Sequence, residues 1–258
     1  MKISEYIDSV NKARKVLSIF LTAGFPNKEK FVDTALSVLD SGADMLEIGI
    51  PFSDPLADGH VIQESSYDAL TQGVKMKDVF SYTEAIVKKT DKPIVLMGYA
   101  NPIMKYGKNN FAQDAINCGA KGLIVPDVPI NEYDDFFNES YNDLEIVLLT
   151  TPTSDEERIK LIDKKSRGFV YCVSITGTTG VKTKFDESVY KNIERTYKTI
   201  KNNKMLIGFG ISKPEDVTRF YDYCDGVIIG SAVINSLRYD DEKHSATLKL
   251  ISSISDVC

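Results

Sequence analysis

Lys204-Met205-Leu206-Ile207-Gly208-Phe209-Gly210-Ile211-Ser212, followed by Asp225-Gly226-Val227-Ile228-Ile229-Gly230-Ser231-Ala232-Val233, is the stretch that decides how this chain folds. Each half begins as an apolar run of strand length and ends on glycine and serine. Between them, Pro214 to Tyr223 carries an amphipathic helical pattern. Glycine lets a backbone approach an oxyanion closely, and the start of a helix offers free N–H groups and a positive dipole end. In many barrels the loops after strands 7 and 8, with the N-terminus of a short extra helix, hold a phosphate in this way. Gly210, Gly230 and Ser231 are therefore candidate phosphate-binding residues. Neither segment is a G-x-G-x-x-G or Walker sequence, so the pattern does not indicate a nucleotide.

Towards the N-terminus, six more apolar runs begin near Leu17, Asp44, Pro93, Lys121, Glu145 and Gly168, and with those near Lys204 and Asp225 they predict eight strands. Helical patterns lie between them at Lys28 to Leu39, Phe111 to Asn117, Asp155 to Lys165 and Glu187 to Lys201. Gly42-Ala43-Asp44 and Gly119-Ala120-Lys121 each close a helix before a strand, where glycine suits a left-handed helix end. Cys224-Asp225-Gly226 is a looser version of the same junction. Ser4 to Arg14 reads as an added helix under the barrel, and Asp241 to Ser253 as the last outer helix. Alternation implies a parallel sheet, and by itself leaves an open doubly wound sheet possible. The paired glycine turns favour an α/β chain folded as a (β/α)8 TIM barrel with an extra N-terminal helix and a short phosphate-binding helix after strand 8. A length of 258 residues suits one such domain spanning 1–258.

Composition narrows the function classes. The chain is 43% hydrophobic and 26% charged with a formal net charge of -6, which argues against a broad basic surface for nucleic acid or anionic lipid. No apolar run is long enough to span a membrane, and Met1 to Lys15 lacks the apolar core of a secretory signal, so a cytoplasmic location is expected. Cys118, Cys172, Cys224 and Cys258 are scattered and read as reduced thiols; no metal motif is present.

The most informative stretch is Leu46-Glu47-Ile48-Gly49-Ile50-Pro51-Phe52-Ser53-Asp54-Pro55-Leu56-Ala57-Asp58-Gly59. Side chains alternate along a strand, so if Glu47 faces the barrel interior, Met45 and Gly49 share its face and Leu46 and Ile48 pack outward. An inward carboxylate is costly without a partner, and burial raises its pKa into a range useful for proton transfer. Asp54 and Asp58 lie in a Pro/Gly loop, where aspartate is by default a turn residue. Alternation puts Tyr171 on the inward face with Phe169 and Val173.

This stretch resembles the tryptophan synthase alpha family. Further similarities are Phe20-Leu21-Thr22-Ala23-Gly24, Tyr99-Ala100-Asn101-Pro102, Pro126-Asp127-Val128-Pro129, Tyr171, Gly177-Thr178-Thr179-Gly180 and the two glycine segments quoted first. The resemblance runs from about Phe20 to Val233. It implies that Glu47 and Asp58 flank an indole ring as catalytic groups assisted by Tyr171. It also implies ring contacts from Phe20, Met97, Tyr99, Ile124, Phe209 and Ile228, a phosphate contact from Gly180, and closure of Thr179 towards Asp58. Asp54, Pro55, Asn101 and Pro102 fall on the rim where the family meets its beta subunit. Two departures stand out: His60 replaces the usual proline after Asp58-Gly59 and reads as a solvated loop histidine, and Ile175 stands where some relatives carry a basic residue.

The family reaction is a retro-aldol cleavage of indole-3-glycerol phosphate to indole and glyceraldehyde 3-phosphate. Aldol chemistry needs an electron sink, commonly a Schiff-base lysine or a metal. Strand 6 has no lysine, and the chain's histidines are only His60 and His244. A protonated indole ring supplies the sink itself, so no cofactor is expected. The alternatives are a phosphosugar isomerase or epimerase, indole-3-glycerol phosphate synthase, whose expected strand lysines are not found, and a catalytically silent partner of a beta subunit.

Overall fold

The computed structural model describes residues 1–174, 187–208 and 210–258. Eight strands, β1 Val16–Thr22, β2 Met45–Gly49, β3 Ile94–Met97, β4 Gly122–Ile124, β5 Glu145–Thr150, β6 Phe169–Val173, β7 Lys204–Gly208 and β8 Gly226–Ile229, close into a barrel in sequence order. Every neighbouring pair is parallel, and β1 closes the ring on β8 through Val16↔Gly226 and Ser18↔Ile228. The eight expected strands are all present, each beginning within one residue of its expected start. Positive φ at Gly42 and Gly119, 113° and 88°, bears out the two helix-to-strand junctions. At the looser third junction, Gly226 is needed for a different reason: a Cβ there would meet the Val16 carbonyl oxygen at 2.5 Å across the β1–β8 seam.

Alternation divides the apolar residues into two cores. Leu17, Ile19, Leu46, Ile48, Leu96 and their equivalents pack outward under the helices, while Val16, Met45, Val95, Ile124, Val147, Phe169, Tyr171, Leu206 and Ile228 fill the barrel. Ile3 and Ile7 of the N-terminal helix Ile3–Val10 join the inner core, so that helix stoppers the barrel at its N-terminal end. The Arg14 guanidinium makes a forked pair with Asp44 at 2.8 and 2.7 Å, and Asp44 also accepts from Leu17 N. The bottom of the barrel is thereby fixed to the start of β1.

Several helix ends differ from their expected positions. The second helix begins at Phe31, three residues late, because Asn27 Oδ1 accepts from Glu29 N and Lys30 N and holds a turn there. The helical pattern from Pro214 breaks after Phe220 into a 3₁₀ turn, Tyr221–Tyr223. After β8 comes the expected extra helix, Ser231–Tyr239, and then the outer helix Ser245–Ser255. Among the described residues no helix is long and apolar enough to cross a membrane. All four cysteines are free and buried.

Candidate active site

The strand register brings the candidate residues together at the C-terminal mouth of the barrel. Phe20 pairs with Glu47, Glu47 with Val95 and Gly49 with Met97, so two adjacent inward positions carry an aromatic ring and a carboxyl group. A cavity above them is lined by Phe20, Glu47, Asp58, Met97, Tyr171, Gly210, Ile228, Gly230 and Ser231, together with Ile62 and Ile211. Nine expected residues from six strands or their following loops thus face one space.

Glu47 is fully buried. Ser18, two positions below Phe20 on the same inward face, donates its hydroxyl to Oε1 at 2.9 Å, and Oε2 has no hydrogen-bond partner among the described residues. Burial pushes the carboxyl up to about 8, opposed only by the Ser18 bond. Such a group holds a proton at neutral pH and can release it within one unit or so of that pH.

Asp58 comes from the loop after β2 and is 9% exposed. Tyr99 donates its hydroxyl to Asp58 Oδ2 at 2.8 Å and accepts from Ala57 N at 3.1 Å, so one phenol pins the loop and orients the carboxylate. Phe52 lies against the Tyr99 ring with centroids 5.5 Å apart. Burial raises Asp58 to about 6, and the Tyr99 bond limits the rise. At neutral pH the site therefore presents one protonated and one ionised carboxyl group.

Tyr171 is buried, and its phenol is held far above its usual range by desolvation and by the negative charges of Glu47 and Asp58. Its hydroxyl occupies the space a Cβ would need at Gly208, so only glycine there lets the ring lie across β7. At the other end of the cavity Gly210 has φ 76°, and Ser231 is the first residue of its helix with Gly230 as N-cap. Ser212 is held by Asp216, which accepts from its N–H at 3.0 Å and its hydroxyl at 3.2 Å.

Other candidates sit elsewhere. Tyr99 stands behind Asp58, and Ile124 belongs to the inner core below the cavity. Thr179, Gly180, Ile175 and Phe209 lie outside the described residues. Asp54 and Asn101 are exposed and Pro102 is half-buried; Pro55 is buried, its carbonyl accepting from Asp58 N at 3.0 Å. Leu56, 87% exposed, projects from the loop beside it. His60 is exposed, begins helix His60–Thr71 and lies 3.5 Å from Glu64.

Sequence reasoning missed Ser18, Ile62 and Ile211, and gave Asp127 no role. The Asp127 carboxylate caps helix Ala100–Tyr106 by accepting from Ala100 N at 2.9 and 3.2 Å. An inward serine on β1 opposite an inward glutamate on β2 was the available signal for Ser18. Among the described residues no group of three His, Cys, Asp or Glu is placed to hold a metal ion.

Together, the closed parallel barrel and the cavity at its strand ends define a (β/α)8-barrel enzyme. A family model described as tryptophan synthase alpha chain matches residues 7–256, and the chain belongs to that family. The tryptophan synthase alpha chain of Thermoanaerobacter sp. (strain X514) is 42% identical over 250 residues, covering 95% of this chain and 94% of that one. That of Petrotoga mobilis is 40% identical over 246 residues, covering 95% of each. Among solved structures, the tryptophan synthase alpha chain from Legionella pneumophila subsp. pneumophila has a TM-score of 0.89 at 31% identity, covering 100% of this chain and 97% of that one. Tryptophan synthase from M. tuberculosis in space group F222 has a TM-score of 0.89 at 30% identity, covering 99% and 97%.

Proposed function

We propose that this chain, acting as one barrel domain in the cytoplasm, is the lyase component of tryptophan synthase. It cleaves indole-3-glycerol phosphate to indole and glyceraldehyde 3-phosphate and passes the indole to a beta subunit. The observation that carries the reaction is the carboxyl pair: Glu47, buried and raised to about 8, and Asp58, at about 6, line the same cavity.

The chemistry follows from those two states. Protonation of indole C3 turns the ring into an electron-poor indolenine. The bond from C3 to the glycerol carbon then breaks, its electrons returning to the ring, while the hydroxyl on that carbon loses its proton and becomes the aldehyde. One proton is added and one removed, so a single group in the right place can carry both. Glu47 fits this shuttle because it lines the cavity, its Oε2 has no hydrogen-bond partner among the described residues, and its pKa is near the working pH. Ionised Asp58 fits the ring N–H, whose positive charge grows as C3 is protonated. Phe20, Met97 and Ile228 supply apolar walls for the ring, and Gly210, Gly230 and Ser231 offer backbone donors to the phosphate. Asp54, Pro55, Asn101 and Pro102, on the segments after β2 and β3, are the residues we assign to the beta-subunit contact, together with the exposed Leu56 beside them.

The purified chain, incubated with indole-3-glycerol phosphate, should release indole, faster when the cognate beta subunit is added. Absence of indole in both reactions would reject the lyase reading, and an unchanged rate on forming the complex would reject the coupling alone.

A further inference from the structure

Two helices begin beside the candidate cavity. Helix Ser231–Tyr239 brings Gly230 and Ser231; helix His60–Thr71 follows directly on Asp58 and contributes Ile62. At their far ends the two are tied by one side chain. Arg238 Nη1 donates to Asp68 Oδ2 at 2.7 Å, and Arg238 Nη2 stands 3.9 Å from Glu64 Oε2. The guanidinium also lies over the ring of buried Phe25, 5.1 Å from its centroid, in the segment that follows β1. It is 21% exposed, with Nε and Nη2 buried and without hydrogen bonds among the described residues.

From this geometry we infer that Arg238 is a positioning residue for the cleavage reaction: its clasp on Asp68 and Glu64 sets the distance between the phosphate end of the site and Asp58. The lever is direct. Arg238 lies seven residues beyond Ser231, about 10 Å along its helix, and Asp68 eight beyond His60, about 12 Å, at 1.5 Å per residue. Both helices are rigid over that length, so a tilt at the clasp becomes a displacement at the substrate. Ser65, one turn before Asp68, shares a 2.6 Å hydrogen bond with Thr22 of β1, which gives helix His60–Thr71 a pivot on the barrel wall. A substrate with an indole at one end and a phosphate at the other spans the two half-sites; either fragment alone does not.

This inference rests on the proposed cleavage of indole-3-glycerol phosphate, and the test separates the two. Binding of indole and of glycerol 3-phosphate is measured by calorimetry, each alone, beside steady-state cleavage, for wild type, Arg238→Met, Asp68→Asn and the double variant. A misplacement of about 1 Å far from the chemistry costs up to about 10²-fold, so each single variant should lose about tenfold or more in kcat/KM. Each fragment alone should bind within about twofold of wild type, and the double variant should be no worse than either single one, as for two residues acting as one contact. Unchanged kcat/KM would overturn the clasp. So would equal losses for fragments and substrate in Asp68→Asn, which removes only a charge, because that pattern marks a general loss of fold. If wild type neither binds the fragments nor cleaves the substrate, the functional reading itself has failed.

Discussion

Replacing Glu47 by glutamine should cripple the enzyme and stabilise the protein, with the stabilisation growing with pH. The carboxyl group is fully buried and raised from an ordinary 4.5 to about 8. A group raised on folding contributes its stability fully below 4.5, where both states are protonated, and that contribution is lost as pH rises through about 8, because the unfolded chain ionises first. At about 1.4 kcal/mol per pH unit, the burden on the wild type reaches about 3 kcal/mol at pH 7 and at most about 5 kcal/mol above pH 8. Glutamine keeps the shape and an acceptor for Ser18 without titrating; any cost of its extra amide N–H is the same at every pH. Thermal melts of both proteins from pH 4.5 to 8 should therefore diverge, the variant gaining on the wild type by about 6–12 °C between pH 4.5 and 7 for a chain of this size. Indole release should fall by about 10²-fold or more over the same series. A melting difference that is constant with pH, or that narrows as pH rises, would refute the buried neutral carboxyl on which the mechanism depends.

Three further outcomes follow from the same geometry. The rate profile of kcat/KM should be bell-shaped, falling below about pH 6 as Asp58 gains a proton and above about pH 8 as Glu47 loses one; a flat profile across that window would exclude both as the working groups. Tyr99→Phe keeps the ring on Phe52 but removes the 2.8 Å bond that holds Asp58 down, so the acid limb should move to higher pH and the rate fall by about tenfold; an unmoved limb counts against the Tyr99 contact. Gly210→Val cannot hold φ 76° without strain, whereas Gly230, at φ -116°, is strained by no side chain and its Cβ would only approach Phe20 at 3.4 Å. Both variants should raise KM for the phosphorylated substrate, and only Gly210→Val should lower the melting temperature measurably.

Much of the barrel was legible because its strands are buried on both faces and read as near-continuous apolar runs. The helix His60–Thr71 was harder, since its inward face is Ile62, Ser65, Ser66 and Ala69, too small and polar to show a helical period. Glu47 stood out in the sequence as a charge in an apolar strand. What made it usable, one oxygen held by Ser18 and one left without a hydrogen bond among the described residues, depends on register between β1 and β2. The same holds for Tyr99 and Asp58, 41 residues apart, and more so for Arg238 and Asp68, separated by 170. Residue type betrays a candidate group, whereas its partner is chosen by the closure of the barrel.

The two ends of the barrel also hold their carboxyl groups differently. At the N-terminal end Asp44 is buried but met by a forked arginine and a backbone N–H, and Glu145 accepts from Ile3 N at the start of the stopper helix. These carboxylates are satisfied, and they hold the barrel shut. At the C-terminal end Glu47 and Asp58 have no basic partner among the described residues, and desolvation raises both. Pairing either with a cation would lower its pKa, and at Glu47 would remove the proton that this group must hold at neutral pH. The uncompensated desolvation at the mouth is the condition for the chemistry there.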